Sequence, residues 1–272
     1  MLWSKTIGAG GAGGVAAAWN VSTAVFLQSF SVAAQETSPT GVFFKPDGLK
    51  MYVIGYSGKD VNEYNLGTAW NVSTAVFLQS FSVAAQETLP FGVFFKPDGL
   101  KMYVIGQGGV DVNEYNLSTA WNVFTAVFVQ SFSVAAQEIY PYGVFFKPDG
   151  LKMYVLGDAG RDVNEYNLST AWNVSTAVFV QSFSVAAQET SPLGLFFKPD
   201  GLKMYVVGNA GKDVNEYNLG TAWNVFTAVF VQSFNVAAQE AQPFGVFFKH
   251  DGLKMYVIGP SFDAVNEYDL IA

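Results

Sequence analysis

The sequence repeats itself every 51 residues, and that period limits the fold more than any other feature. Gly-Val-Phe-Phe-Lys-Pro-Asp-Gly begins at Gly41, Gly92 and Gly143. Close variants begin at Gly194, where Leu195 replaces Val, and at Gly245, where His250 replaces Pro. Ala-Trp-Asn begins at Ala18, Ala69, Ala120, Ala171 and Ala222, so residues 18–272 hold five repeats. A unit this short cannot bury both of its faces alone and must pack against its neighbours.

Turn residues separate four strand signals in each repeat. In the second copy, strand A is Gly92–Lys96 and strand B is Leu100–Ile105, joined by the tight turn Pro97-Asp98-Gly99. Strand C is Asp111–Leu117, and strand D is Ala126–Val134 after a loop through Ala120-Trp121-Asn122. No helical period competes. Val93, Phe94 and Phe95, then Met102, Tyr103 and Val104, are apolar on both strand faces, as in a sheet sandwiched between two others. Four antiparallel strands per repeat make a propeller blade, so the expected fold is an all-β, five-bladed β-propeller. Residues Ala24–Val32 supply a lone D strand, whereas Gly245–Leu270 supply only A, B and C. The first strand is therefore expected to complete the last blade and close the ring, which removes edges that invite aggregation. Residues 18–272 read as one domain and residues 1–17 as a flexible Gly/Ala-rich lead-in, too poor in large apolar residues for a good signal peptide.

The run Phe-Lys-Pro-Asp-Gly-Leu-Lys-Met-Tyr-Val at Phe95–Val104 resembles YVTN-type and NHL-type propeller repeats. It recurs in all five copies, with His250 in place of Pro in the last, and covers only their A–B part. The blade number is similar to that of tachylectin-type sugar-binding propellers, which implies a carbohydrate ligand by analogy of fold alone.

Half the residues are apolar and 13% are charged, enough for a large core. The net charge of −8, with no basic stripe, argues against nucleic acid. The absence of Cys excludes disulfides, thiolate metal sites and Cys nucleophiles. No apolar run approaches the roughly 18 residues of a membrane-spanning helix, so membrane insertion is not expected.

The copies differ mainly in two segments. One lies just before strand A, with Tyr140-Pro141-Tyr142 standing where another copy has Ser191-Pro192-Leu193. The other is the B–C loop, with Asp158-Ala159-Gly160-Arg161 against Gln107-Gly108-Gly109-Val110. In an up-and-down blade the D–A and B–C connections share one face of the disc, and loops on a rigid scaffold are where recognition concentrates. Tyr56, Phe91, Tyr140, Tyr142 and Phe244 offer aromatic area there, and Gln107, Asp158, Arg161 and Asn209 offer hydrogen bonds. That mix suits a carbohydrate or a surface receptor. An alternative set of five equal pockets uses Trp19, Trp70, Trp121, Trp172 and Trp223, each followed by Asn. Against it, a Trp in every C–D loop also suits a plug in the seam between blades.

Glu36 and Glu63, with their copies, do not have the dense oxygen spacing of a calcium loop, so no metal or other cofactor is expected. Glu63 beside Lys50 reads instead as a cross-strand ion pair. Catalysis of glycoside hydrolysis needs two carboxylates in different environments, and the blades have hardly diverged. The sole histidine, His250, lies on the opposite face, so the chain is expected not to be an enzyme. The sequence supports a monomeric, lectin-like recognition module, suited to a cell or virion surface, or else a scaffold of recently amplified or designed repeats.

Overall fold

The computed structural model describes residues 18–271. The lead-in expected at residues 1–17 lies outside the described residues. Twenty strands form five four-stranded antiparallel sheets. The first strand of the described residues is β1 (Ala24–Ser31). The first full blade is β2 (Pro39–Phe44), β3 (Lys50–Gly55), β4 (Asp60–Leu66) and β5 (Ala75–Ser82). The second is β6 (Pro90–Phe95), β7 (Lys101–Gly106), β8 (Asp111–Leu117) and β9 (Ala126–Ser133). The third is β10 (Pro141–Phe146), β11 (Lys152–Gly157), β12 (Asp162–Leu168) and β13 (Ala177–Ser184). The fourth is β14 (Pro192–Phe197), β15 (Lys203–Gly208), β16 (Asp213–Leu219) and β17 (Ala228–Asn235). The fifth has only β18 (Gly245–Phe248), β19 (Lys254–Gly259) and β20 (Ala264–Leu270) of its own.

Sheet order β1-β20-β19-β18 shows the closure directly: β1 pairs antiparallel with β20 from Ala24↔Leu270 to Ser31↔Ala264. The fold is the all-β five-bladed propeller that the repeat implies. The innermost strand begins earlier than its apolar run suggests, at Pro90 rather than Gly92 in the second blade. Its register shifts between Pro90 and Gly92. This bulge takes Phe91 out of the ladder, and Phe91 lines the axial cavity.

Strands A, B and C are buried on both faces, but the outermost strand is not. Val76, Phe77 and Leu78 on β5 are exposed, because no sheet covers the rim of the disc. The C–D loops, read from sequence as plain loops, each contain a short 3-10 turn such as Val123–Thr125. The preceding Asn122 caps it by accepting from the Phe124 N–H at 3.1 Å.

Side chains in each repeat join the blades, among them a Tyr and a Glu. Tyr103 donates its hydroxyl to the Trp172 carbonyl of the next blade at 2.7 Å, and burial pushes that hydroxyl well above the usual phenol range. Glu114, almost fully buried, accepts from the Val174 N–H of the next blade at 3.1 Å and from Gln130 at 2.9 Å, and pairs with Lys101. The ion pair expected for this Glu position is present, and it also reaches across the seam.

Candidate functional site

The two variable segments form one surface because a buried carboxylate staples them. Glu138, ahead of strand A, accepts from the Tyr140 N–H at 2.7 Å and from the Ala159 and Gly160 N–H groups of the B–C loop at 3.2 and 3.0 Å. Asp158 adds a backbone bond, its N–H donating to the Tyr140 carbonyl at 3.2 Å. Backbone donors aimed at a buried carboxylate hold the loops rigidly, so the side chains they carry are positioned rather than free.

Most of the aromatic residues expected to meet a ligand meet each other instead. Thr40, Phe91, Tyr142, Leu193 and Phe244, one per blade, line a narrow axial cavity of about 40 Å³. Phe91 lies 4.5 Å from Tyr142, 6.0 Å from Phe244 and 5.8 Å from Tyr56, ring centre to ring centre. This plug leaves no room for a sugar ring at the centre. Phe91 and Phe244 therefore line the closed channel, and Tyr56 packs against Phe91.

A second group comes together on the loops of the third blade. Tyr140 remains 51% exposed. Asp158 is partly buried, and its Oδ1 has no hydrogen-bond partner. Burial raises its carboxyl above the ordinary aspartate range; the Arg161 charge and Ser191 hydroxyl act against that rise, and Glu138 adds to it. Burial likewise raises the Tyr142 hydroxyl, with the Gln107 side chain opposing and Asp158, Glu138 and Tyr140 reinforcing. Arg161 is exposed, in a left-handed conformation at φ 53°. Tyr140, the Asp158 carboxylate and the Arg161 guanidinium thus belong to one corner of the third blade. Asn209 occupies the place of Asp158 in the next blade, its N–H bonded to the Ser191 carbonyl at 3.0 Å.

The tryptophans are not open platforms. Trp19, Trp70, Trp121, Trp172 and Trp223 are only 7–8% exposed and lie in the seams. Each holds a left-handed backbone, φ 64–66°, beneath the glycine of a Pro-Asp-Gly or His-Asp-Gly turn. The Trp121 N–H donates to the Gly99 carbonyl at 2.9 Å, and its ring stacks near Phe95 and Phe43. In the alternative set of five Trp pockets, each ring is packed against its neighbours.

Two features escaped the sequence reading. The fifth blade replaces the usual Asp before Asn with Ala264, so Asn266 Nδ2 loses the bond that Asn62 makes to Asp60 at 2.8 Å, and Glu240 Oε2 is also unpartnered. On the opposite face the channel opens into an apolar bowl of about 460 Å³. Its one signal in the sequence is His250, where the other four copies have proline.

No protein-family model matches the chain, and no curated protein matches it. Among solved structures, a "putative 6-phosphogluconolactonase" from Bacteroides uniformis is similar at 12% identity and TM-score 0.50, over 86% of this chain and 72% of that one. A functionally unknown protein from Desulfotomaculum acetoxidans is similar at 13% identity and TM-score 0.49, over 81% of this chain and 62% of that one. With 1005 solved chains matching, such likeness identifies an architecture and not a family. It does correct one expectation. The chain was expected not to be an enzyme, yet a protein of this architecture is described as a lactonase, so that exclusion is withdrawn.

Proposed function

We propose that the chain is a monomeric recognition module that binds a carbohydrate or a glycan-bearing surface receptor through the third-blade corner of the face carrying the D–A and B–C loops. The observation that supports this most is the stapling of the two loops that carry Asp158, Arg161 and the 51%-exposed Tyr140 into one surface. A carboxylate accepts from sugar hydroxyls while the sugar's C–H face lies on an aromatic ring. Arg161 adds a donor beside Asp158, and Gln107 one beside Tyr142. The resemblance of Phe95–Val104 to YVTN-type and NHL-type repeats belongs to this same proposal, as does the comparison with tachylectin-type lectins.

The test is a glycan array read at several salt concentrations, followed by titration of the strongest hit. Tyr140→Ala and Asp158→Asn should each weaken that hit roughly tenfold, about 1.4 kcal/mol. An unchanged affinity in both variants would refute the corner. A second reading, a scaffold with no specific small ligand, draws on the near-identity of the repeats and on the mutual packing of the axial aromatics. A blank array would favour it.

A further inference from the structure

The bowl on the face opposite the variable loops is a built cavity. Its floor is a closed ring of five phenylalanines, one per blade. Centre-to-centre distances run 5.3 Å for Phe43–Phe94, 5.1 Å for Phe94–Phe145, 5.4 Å for Phe145–Phe196, 5.1 Å for Phe196–Phe247 and 5.3 Å for Phe247–Phe43, all edge-to-face. Its rim is Pro46, Pro97, Pro148, Pro199 and, in the fifth blade, His250. Beneath the floor the channel narrows to about 30 Å³ between the valine and leucine side chains, so the bowl ends in a floor and is not a passage.

The charges around it cancel in place. Each rim turn pairs its own Lys and Asp at 2.7 Å, as in Lys45–Asp47 and Lys249–Asp251. The wall therefore selects neither anion nor cation, and its volume falls within the roughly 300–1,000 Å³ of small-molecule pockets. His250 is the only lining side chain that can hydrogen-bond. Its ring stands 6.1 Å from Trp70 and 6.4 Å from Phe247, and the residue stays accessible at the rim.

We infer that the bowl is a second binding site, for one uncharged, ring-shaped apolar molecule carrying a single hydroxyl that bonds to His250. Five equivalent Phe edges give such a ligand contact without a preferred rotation about the axis, and His250 fixes the rotation. A charged ligand finds no countercharge free, and a strongly polar one leaves its groups unpaired against Phe and Pro.

Naphthol and naphthalene, titrated against the intact chain at pH 7.5 and followed by ligand fluorescence and calorimetry, test this. Saturable binding of one naphthol per chain, tighter than naphthalene by roughly tenfold, is expected. His250→Pro restores the turn of the other four blades and should fold; it should reduce that preference to about twofold or less while naphthalene binding persists. Pro148→Glu, at a turn position that already tolerates His, places a charge at the rim and should weaken both ligands at least about tenfold. The inference is overturned by absence of saturable binding, by five equal sites per chain, or by unchanged affinities in a Pro148→Glu variant whose melting curve shows it folded. Tyr140→Ala and Asp158→Asn should leave naphthol affinity unchanged, which separates this site from the corner on the other face.

Discussion

At Glu114 a single carboxylate joins three segments: Lys101 in its own blade, Gln130 on the outer strand, and the Val174 N–H of the next blade. Replacing it by Ala leaves a buried donor unanswered and an ammonium unpaired. Glu114→Ala should lower unfolding stability by about 3 kcal/mol in urea titration. Gly99, at φ 75°, lies where any Cβ would enter the Trp121 ring. Gly99→Ala should cost at least about 2 kcal/mol, from the left-handed backbone and the displaced ring together. Asp158 has the opposite sign. Its folded carboxyl is raised by burial, so ionisation opposes folding, and stability at this site is lost as pH rises through the folded value. Asp158→Asn should therefore be more stable than the parent at pH 7. The gap should close as pH falls below the unfolded aspartate value of about 3.9, where both states are neutral. A gap that widens on acidification would contradict that environment.

Strands were the most legible elements. Asp111–Leu117 is found where the alternation and turn residues put it, because a strand flanked by two others has little freedom of register. The innermost strand was less legible: Pro90 and Phe91 carry no strand signal of their own, and only the bulge against β7 recruits them. The same bulge explains why the packing of the variable face's aromatic residues was not legible. Sequence spacing puts Phe91 in a loop, whereas the chain turns it onto the axis to pack with Tyr142 and Phe244. The apolar bowl left no sequence signal but His250 for a related reason, since it exists only once the Phe segments and turns of five blades meet around an axis. Closure by β1 is an element-level claim with its own test. Removing residues 1–33 exposes the β20 edge. The shortened chain should melt at lower temperature and associate in a concentration-dependent way by light scattering.

For the whole molecule, nearly identical blades build the disc, and a few positions break the five-fold pattern. One face has Tyr140, Asp158 and Arg161 at a corner of the third blade; the other has His250 on a Phe-lined bowl. The most direct measurement exchanges that corner for its counterpart in the fourth blade. Ile139→Thr, Tyr140→Ser, Tyr142→Leu, Asp158→Asn and Arg161→Lys together reproduce the loops that the fourth blade already accommodates, so the propeller should persist by circular dichroism and melting. Titrated with the best glycan from the array, the exchanged chain should lose at least about a hundredfold in affinity, some 2.7 kcal/mol. Retention of the parent affinity in a folded exchange variant would contradict the account.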